Sequence, residues 1–265
     1  MARKRVEIMW SSKIGCSIEY KKILYDYWDT FLNFIYPRNI YCIICNISID
    51  NDEKYSLCSK CRASLQFIEG KICIKCGKPL DEEYLLDKCH QCINSEYFYT
   101  NAISCMEYDD ISKKIIYDLK YSKKRYISYH MAEIMRDIFA KSDIKDIDLI
   151  VPVPLHRQKE RERTFNQSYL IGKYLGKMTD IDIDVTSLIR VKNTMTQNRL
   201  SREERIENLK DAFKVIRDDN IKDKNILLID DVFTTGATVN ECSRVLVEKG
   251  AGEVYVLTFA TGRNV

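Results

Sequence analysis

The sequence predicts an α/β protein, with a mostly parallel sheet flanked by helices and a small cysteine-rich module in front of it. Two observations lead to this fold class. Eight of the eleven cysteines lie within residues 42–92, in four Cys-x-x-Cys pairs. Beyond residue 100, strand-like apolar runs alternate with amphipathic helix patterns, which is the order that builds βαβ units and a parallel sheet. A chain of 265 residues, 45% hydrophobic and 31% charged, has room for one large or two modest domains.

Residues 1–37 form the first predicted region. Apolar side chains recur at helical spacing from residue 23 to residue 35, so we expect an amphipathic helix that ends at Pro37. The region lacks the long apolar stretch and the cleavage site of a secretory signal, and no segment approaches the roughly 20 apolar residues that span a bilayer. We therefore expect a cytoplasmic protein without a membrane span, whose helix packs on its own chain. A membrane-surface anchor is the alternative.

Residues 38–97 form the second predicted region, and the paired cysteines lie here. The pairs are Cys42/Cys45, Cys58/Cys61, Cys73/Cys76 and Cys89/Cys92. Twelve residues separate the first pair from the second, and twelve separate the third from the fourth, so the region is a duplicated unit. Each copy supplies four thiolates, the tetrahedral ligand set of a structural zinc ion, and we predict two closed four-cysteine zinc sites.

Other uses of these cysteines are less favoured. A reducing cytosol disfavours disulfides, and a thioredoxin-like redox pair would need a single motif in a βαβ setting. An iron–sulfur cluster stays open, since four thiolates can hold either centre, and so does cross-braced pairing of the ligands. A closed zinc site has no free position for chemistry, so we expect a structural module or a docking surface. With seven Lys/Arg against eight Asp/Glu in residues 42–92, it is a poor nucleic-acid platform by itself.

Residues 98–265 form the third predicted region, the α/β domain. Strands are predicted at residues 102–108, 147–154, 181–185, 225–232 and 253–260, and helices at residues 111–121, 127–140, 165–178 and 238–250. In such sheets, ligands bind beyond the carboxyl ends of the strands. Functional residues are therefore expected where these strands end.

The stretch ILLIDDVFTTGAT, residues 226–238, places two acids, Asp230 and Asp231, at the end of an apolar strand. The loop that follows consists of Thr234, Thr235, Gly236, Ala237 and Thr238. It offers backbone N–H groups, threonine hydroxyls and the positive end of a helix, which together make a phosphate cradle. The acids beside it can accept hydrogen bonds from two vicinal hydroxyls. The combination predicts a site for a ribose 5-phosphate.

This stretch resembles the thirteen-residue signature of type I phosphoribosyltransferases, which bind 5-phosphoribosyl-1-pyrophosphate (PRPP) with Mg²⁺. Phe233 stands where an aliphatic residue is commoner in that family. Residues 151–168 resemble the family's pyrophosphate loop, and residues 190–213 its flexible loop. The resemblance assigns Arg157, Lys159, Arg161 and Arg163 to the first loop, and Thr196, Gln197, Arg199, Arg202 and Arg205 to the second.

With the duplicated cysteine module in front, the chain is similar to the ComF/GntX family, in which a double zinc ribbon precedes a type I phosphoribosyltransferase domain, known from competence for DNA uptake. The resemblance implies an enzyme that transfers phosphoribose from PRPP to a nitrogen nucleophile and releases pyrophosphate. In the mechanism that the resemblance implies, Asp230 and Asp231 bind the ribose hydroxyls, residues 234–238 bind the 5-phosphate, and the basic pyrophosphate loop binds the pyrophosphate. The implied cofactors are two structural Zn²⁺ and Mg²⁺ with PRPP.

The second hypothesis is a non-catalytic competence factor that binds single-stranded DNA or a nucleotide through the same domain. It is motivated by the family resemblance and by the lack of a recognisable base-specificity hood. Residues 113–125 carry six bases and one acid, a positive surface that suits PRPP and single-stranded DNA alike. In this hypothesis the zinc module docks a helicase or a transport protein of DNA uptake. The net charge of +3 is too small to indicate by itself whether the protein binds nucleic acid.

Overall fold

A computed structural model describes residues 39–50, 52–194 and 202–262 of the chain. Contacts divide the chain into two compact units, Met1–Cys58 and Ser59–Val265. The predicted N-terminal helix lies outside the described residues, and the predicted domain boundaries stay a prediction. In the three described ranges, no helix has the length and apolar character needed to cross a membrane.

The cysteine pairs of the two copies form similar tight turns. In the first unit, Cys42 N–H donates to Ile47 O (2.9 Å) and Asn46 N–H donates to Cys42 O (2.9 Å). In the second unit, Cys73 N–H donates to Lys78 O (2.9 Å) and Gly77 N–H donates to Cys73 O (2.8 Å). The duplication seen in the sequence is thus a duplication of the metal-binding turn.

The second turn packs against the α/β sheet within its own unit. Gly77 has φ 67°, and a Cβ atom there would lie 2.3 Å from Ala102 O. Because neither the backbone conformation nor the space admits a side chain, glycine is required at this position. Ala102 N–H donates to Lys75 O (2.9 Å), so the turn is also hydrogen-bonded to the first residue of the sheet.

The main sheet of the second unit consists of four parallel strands. The strands of this unit are β1 (Ala102–Glu107), β2 (Leu149–Pro152), β3 (Leu188–Arg190), β4 (Phe213–Val215), β5 (Ile226–Phe233) and β6 (Val254–Thr261). Four of them form one sheet in the order β1-β6-β5-β2, with every neighbouring pair parallel, and β3 and β4 form a separate antiparallel pair. The apolar start of β5 is fully buried at the centre of the sheet. The predicted mostly parallel sheet is confirmed.

Two short helices lie in the cysteine-rich region, namely α1 (Ser59–Ala63) and α2 (His90–Ile93). The helices of the α/β domain are α3 (Asp110–Tyr121), α4 (Ile127–Lys141), α5 (Arg157–Arg163), α6 (Gln167–Thr179), α7 (Arg202–Leu209) and α8 (Ala237–Glu248). Of these, α4, α6 and α8 pack directly on the sheet. Helix α3 begins at a capping box, in which the Asp109 carboxylate accepts from Ser112 N–H (2.7 Å) and the Ser112 hydroxyl accepts from Asp109 N–H (2.8 Å). This cap fixes the start of the helix that carries Lys120.

The prediction of a strand at residues 181–185 is wrong. This segment forms a single parallel bridge, between Ile150 and Ile183. Pairing stops because the Asp184 carboxylate accepts hydrogen bonds from Thr186 N–H (2.6 Å) and Ser187 N–H (3.0 Å), which turns the chain. A short acidic side chain that bonds to nearby backbone competes with strand pairing.

The prediction that Arg157, Lys159, Arg161 and Arg163 lie in a loop is also wrong, because all four belong to helix α5. The sequence RQKERER consists of good helix formers. His156 caps the helix, with Nδ1 accepting from Gln158 N–H (3.3 Å), and Thr164 ends it with φ 69°. The basic side chains therefore project from a helical turn.

Candidate functional site

The two predicted acids lie near the carboxyl end of β5, which continues past them to Phe233. The Asp230 Oδ1 atom accepts hydrogen bonds from Ser168 Oγ of α6 (2.9 Å) and from Asp231 N–H (2.9 Å). Asp231 is buried, and its Oδ2 atom forms an ion pair with Lys120 Nζ of α3. Each acid is thus held by a different helix beside the sheet.

The acids are electrostatically coupled. Burial, together with the neighbouring Asp231 charge, raises the pKa of Asp230 to about 7 from its usual value of 3.8. Burial of Lys120 by itself would lower its pKa, but the Asp231 carboxylate, with a smaller contribution from Asp230, more than offsets this and the pKa of Lys120 is raised. Near neutral pH, Asp230 is therefore divided between its charged and neutral forms, whereas Lys120 stays charged.

The turn after β5 is tight and leads directly into α8. Gly236 has φ 78°, and a Cβ atom there would lie 2.6 Å from Phe233 Cζ. The Thr235 hydroxyl accepts from Ala237 N–H (3.4 Å), and Thr238 lies in the first turn of α8. Residues 234–238 thus occupy the amino terminus of a twelve-residue helix, where backbone N–H groups favour an anion. Their role in phosphate binding stays a prediction.

Three cations, Lys159, Arg163 and Arg190, interact electrostatically, and two of them also act on the acid pair or its lysine. Burial lowers the pKa of Lys159, and the Arg190 and Arg163 guanidinium groups lower it further. Burial lowers the pKa of Arg190, and the Asp230 charge opposes this shift. The charge of Arg163 opposes protonation of Lys120. Arg190 therefore lies within electrostatic reach of Asp230, and Arg163 within reach of Lys120, the ion-pair partner of Asp231. Lys159 lies within reach of these two arginines, and its Nζ atom donates to Thr194 O at 3.5 Å. Of the predicted basic residues on α5, Arg157 and Arg161 are exposed, whereas Lys159 and Arg163 are partly buried.

The predicted flexible loop is described only at its ends. Thr196, Gln197 and Arg199 lie outside the described residues. Arg202 is the first residue of α7, and Arg205 lies in the same helix. At the other end, Arg190 closes β3, with its guanidinium 5.3 Å from the centre of the Phe213 ring. The structure therefore leaves the predicted roles of Arg199 and Arg202 as predictions.

Sequence patterns missed three residues of this site, namely Lys120, Ser168 and Arg190. Lys120 was visible only as one base among six in residues 113–125. Its partner, Asp231, lies more than one hundred residues further along the chain, and no local pattern links the two. Arg190 and Ser168 stand at the edges of the two segments compared with phosphoribosyltransferase loops, so a search of those edges for polar residues could have found them.

Both predicted sets of thiols come together. Within the set Cys42, Cys45, Cys58 and Cys61, and within the set Cys73, Cys76, Cys89 and Cys92, all sulfur atoms lie within 4.8 Å of one another. The Sγ atoms of Cys45 and Cys58 are 3.8 Å apart, and those of Cys76 and Cys89 are 3.7 Å apart. Ligands about 2.3 Å from a tetrahedral zinc ion are about 3.8 Å from each other. The two predicted four-cysteine zinc-binding sites are confirmed, with the predicted grouping.

These features define a zinc-ribbon protein with a parallel α/β domain. Residues 31–93 match the family model described as a double zinc ribbon domain. The chain is 30% identical over 223 residues to Competence protein F of Haemophilus influenzae, a match that covers 82% of this chain and 95% of that protein. It is 27% identical over 226 residues to Competence protein ComFC of Bacillus subtilis, covering 80% of this chain and 91% of that protein. The chain belongs to the ComF family.

Among solved structures, the chain resembles a glutamine PRPP amidotransferase from B. subtilis complexed with ADP and GMP. The sequence identity is 17% and the TM-score is 0.35. The match covers 50% of this chain but only 26% of that protein, so about a quarter of the larger enzyme is represented.

Proposed function

We propose that the α/β domain binds PRPP with Mg²⁺ and transfers its phosphoribosyl group to a nitrogen nucleophile, releasing pyrophosphate. The observation that carries this proposal is the placement of the acid pair and the turn at residues 234–238 at one end of β5. Acceptors for a diol and a helix terminus suited to a phosphate lie on adjacent residues there. Membership of the ComF family supports the same function.

In this proposal the protein acts by position and charge. Asp230 and Asp231 accept hydrogen bonds from the ribose hydroxyls, and residues 234–238 hold the 5-phosphate. The C1–O bond breaks with its electron pair leaving on pyrophosphate, the nitrogen lone pair forms the new C1–N bond, and the nitrogen releases its proton. The cations Lys159, Arg163 and Arg190 stabilise the charge on the leaving pyrophosphate. When bound, Mg²⁺ would add positive charge at the same oxygens, and carboxylates with substrate phosphates are the ligands it prefers.

Calorimetric titration of Mg-PRPP, followed by an assay of pyrophosphate release with a panel of purine and pyrimidine bases, tests this function. We expect saturable binding by the full chain and release of pyrophosphate with at least one base. Binding without release for any base would contradict catalysis and leave a PRPP-binding protein. Failure to bind Mg-PRPP at all would contradict the site itself.

The affinity for Mg-PRPP is expected to increase as the pH rises from about 6 to about 8. The reason is that a protonated Asp230 presents a hydrogen-bond donor where the ribose hydroxyl needs an acceptor. The pKa of Asp230 near 7 sets this window. Measured Kd values should fall by up to about tenfold per pH unit below the pKa and level off above it. The Asp230→Asn variant controls for ionisation of PRPP itself. An identical pH profile in wild type and variant would refute the assignment to Asp230.

Single-stranded DNA binding is the second candidate function, and one surface of α3 favours it. Tyr117 and Tyr121 are exposed, with ring centres 5.0 Å apart, and Arg163 lies 5.2 Å from the centre of the Tyr121 ring. The surrounding residues 113–125 are rich in lysine. Exposed aromatic rings among basic side chains are the usual platform for unpaired bases.

If this platform is used, Tyr117→Ala should weaken binding of an oligothymidylate about tenfold, since a stacked base contributes about 1–3 kcal/mol. Tyr41→Ala, which removes an equally exposed tyrosine from the first unit, is the matched control. Fluorescence anisotropy over a range of salt concentrations measures both. Equal affinities in Tyr117→Ala, Tyr41→Ala and the wild type would argue against a stacking platform on α3.

A further inference from the structure

The second zinc ribbon, which contains the site formed by Cys73, Cys76, Cys89 and Cys92, makes a direct contact with the turn at residues 234–238. Gln91 lies in α2, between the zinc ligands Cys89 and Cys92, and its Nε2 atom donates to Thr235 O at 3.0 Å. Its Oε1 atom faces Lys78 Nζ, 3.3 Å away, on the other turn of the same ribbon. The amide of Gln91 therefore bridges the metal-binding turns and the proposed phosphate turn.

The orientation of one peptide group follows from this contact. The carbonyl of Thr235 and the N–H of Gly236 belong to the same peptide, and the described residues contain no cis peptide bond. In a planar trans peptide the C=O and the N–H point in opposite directions. A hydrogen bond that holds the Thr235 carbonyl toward the ribbon therefore directs the Gly236 N–H away from it.

Aromatic packing holds the same turn from the ribbon side. The Phe233 ring lies against Gly236, so closely that it excludes a side chain there. Tyr99 packs edge-on against Phe233, with ring centres 6.3 Å apart. Tyr99 and Phe233 belong to the same buried cluster as all four thiols of the second zinc site. This packing gives a physical reason for Phe233, which departs from the commoner aliphatic residue at its position.

A third contact reaches the first turns of α8. Phe98 N–H donates to Asn240 Oδ1 at 2.8 Å. The segment that leaves the second ribbon is therefore tied to the helix whose amino terminus forms the proposed cradle. Contacts at Thr235, Gly236 and Asn240 together fix the turn relative to the ribbon.

We propose that Gln91 is a positioning residue for the phosphate turn, through which the second zinc ribbon presents the Gly236 N–H to the phosphomonoester of the substrate. This inference rests on the proposed function. It gives the second ribbon a role in substrate affinity besides its role in folding. Gln91 itself touches the turn and not the substrate.

The test compares ribose 5-phosphate with pyrophosphate. Gln91→Glu keeps the length of the side chain and an oxygen for Lys78, but it replaces the donor to Thr235 O with an acceptor. We expect the Kd of ribose 5-phosphate to rise about fivefold, the loss typical of one hydrogen bond, while the Kd of Mg-pyrophosphate stays at the wild-type value. Gln91→Ala should behave in the same way.

Asn94→Ala is the matched control, because Asn94 is an exposed amide of the same ribbon that donates to His90 O at 3.4 Å, a local contact four residues away. Its ligand affinities should equal those of the wild type, and each variant should retain two zinc ions per chain. If Gln91→Glu and Gln91→Ala bind ribose 5-phosphate as tightly as the wild type, the inference is overturned. It is equally overturned if the two variants bind ribose 5-phosphate and Mg-pyrophosphate more weakly by the same factor, which would indicate general damage to the domain. A wild type that binds neither PRPP nor ribose 5-phosphate would instead overturn the proposed function, and this inference with it.

Discussion

Replacing Asp230 and Asp231 together with asparagine is expected to abolish detectable binding of Mg-PRPP while leaving the zinc content unchanged. Asparagine presents an uncharged amide where the proposed site needs two anionic acceptors for the ribose hydroxyls. Hydrogen bonds to charged groups contribute about 1.5–3 kcal/mol each, so the loss of two corresponds to at least about two orders of magnitude in Kd. Calorimetric titration at moderate salt measures the change.

The two single substitutions should differ in their effect on stability. Asp230→Asn removes a carboxyl group whose pKa is raised to about 7 by burial and by the Asp231 charge. Such a group stabilises the folded protein at acidic pH, and this contribution is lost as the pH rises through about 7. The free energy of unfolding of Asp230→Asn should therefore vary less with pH than that of the wild type. Asp231→Asn instead leaves Lys120 largely buried and without its ion-pair partner. Breaking a buried pair in this way costs about 3 kcal/mol.

A further variant separates lost binding from lost stability. Combining Asp231→Asn with Lys120→Met removes both members of the ion pair, and replacing both members is far less destabilising than removing one. This double variant should recover most of the melting temperature lost by Asp231→Asn and still bind Mg-PRPP poorly. Wild-type affinity in the Asp230→Asn/Asp231→Asn protein would refute the proposed roles of both acids.

Features coded by local patterns could be predicted from the sequence. The two zinc sites follow from cysteine spacing alone, and the central strand β5 follows from an apolar run that ends in acids. Each of these two sequence patterns extends over no more than a few tens of residues. The segment Arg157–Arg163 consists of good helix formers, so local propensity favours the helix that the structure contains; the loop assignment came from the family resemblance.

Contacts between distant residues could not be predicted in this way. The Lys120–Asp231 ion pair joins α3 to β5, and the Gln91–Thr235 hydrogen bond joins residues 144 positions apart. Both depend on how helices and ribbon pack on the sheet, which a single sequence does not encode as a pattern. The position of the acid pair near the end of a strand could be predicted, but the lysine that forms an ion pair with Asp231 and the serine that donates to Asp230 could not.

Loss of the second zinc ion is expected to destabilise the α/β domain itself. Cys76 is 2% exposed, and all four thiols of its site share a buried cluster with apolar residues of β2, β5 and β6. Because serine is a poor zinc ligand, Cys76→Ser should release this ion and leave three buried thiols without their metal. Structural zinc contributes folding free energy directly, so we expect the melting temperature of the second unit to fall by on the order of 10 °C.

Cys45→Ser provides the matched comparison. Cys45 is an exposed ligand of the first site, and among the described residues that buried cluster contains no thiol of the first site. Each variant should lose one zinc ion by elemental analysis, but only Cys76→Ser should lower the melting temperature of the α/β domain and weaken its affinity for Mg-PRPP. If the α/β domain had the same melting temperature in Cys76→Ser and Cys45→Ser, this would contradict a structural role of the second ribbon in the α/β core. A stable Cys76→Ser protein with wild-type affinity would also remove the physical basis for linking the ribbon to the phosphate turn.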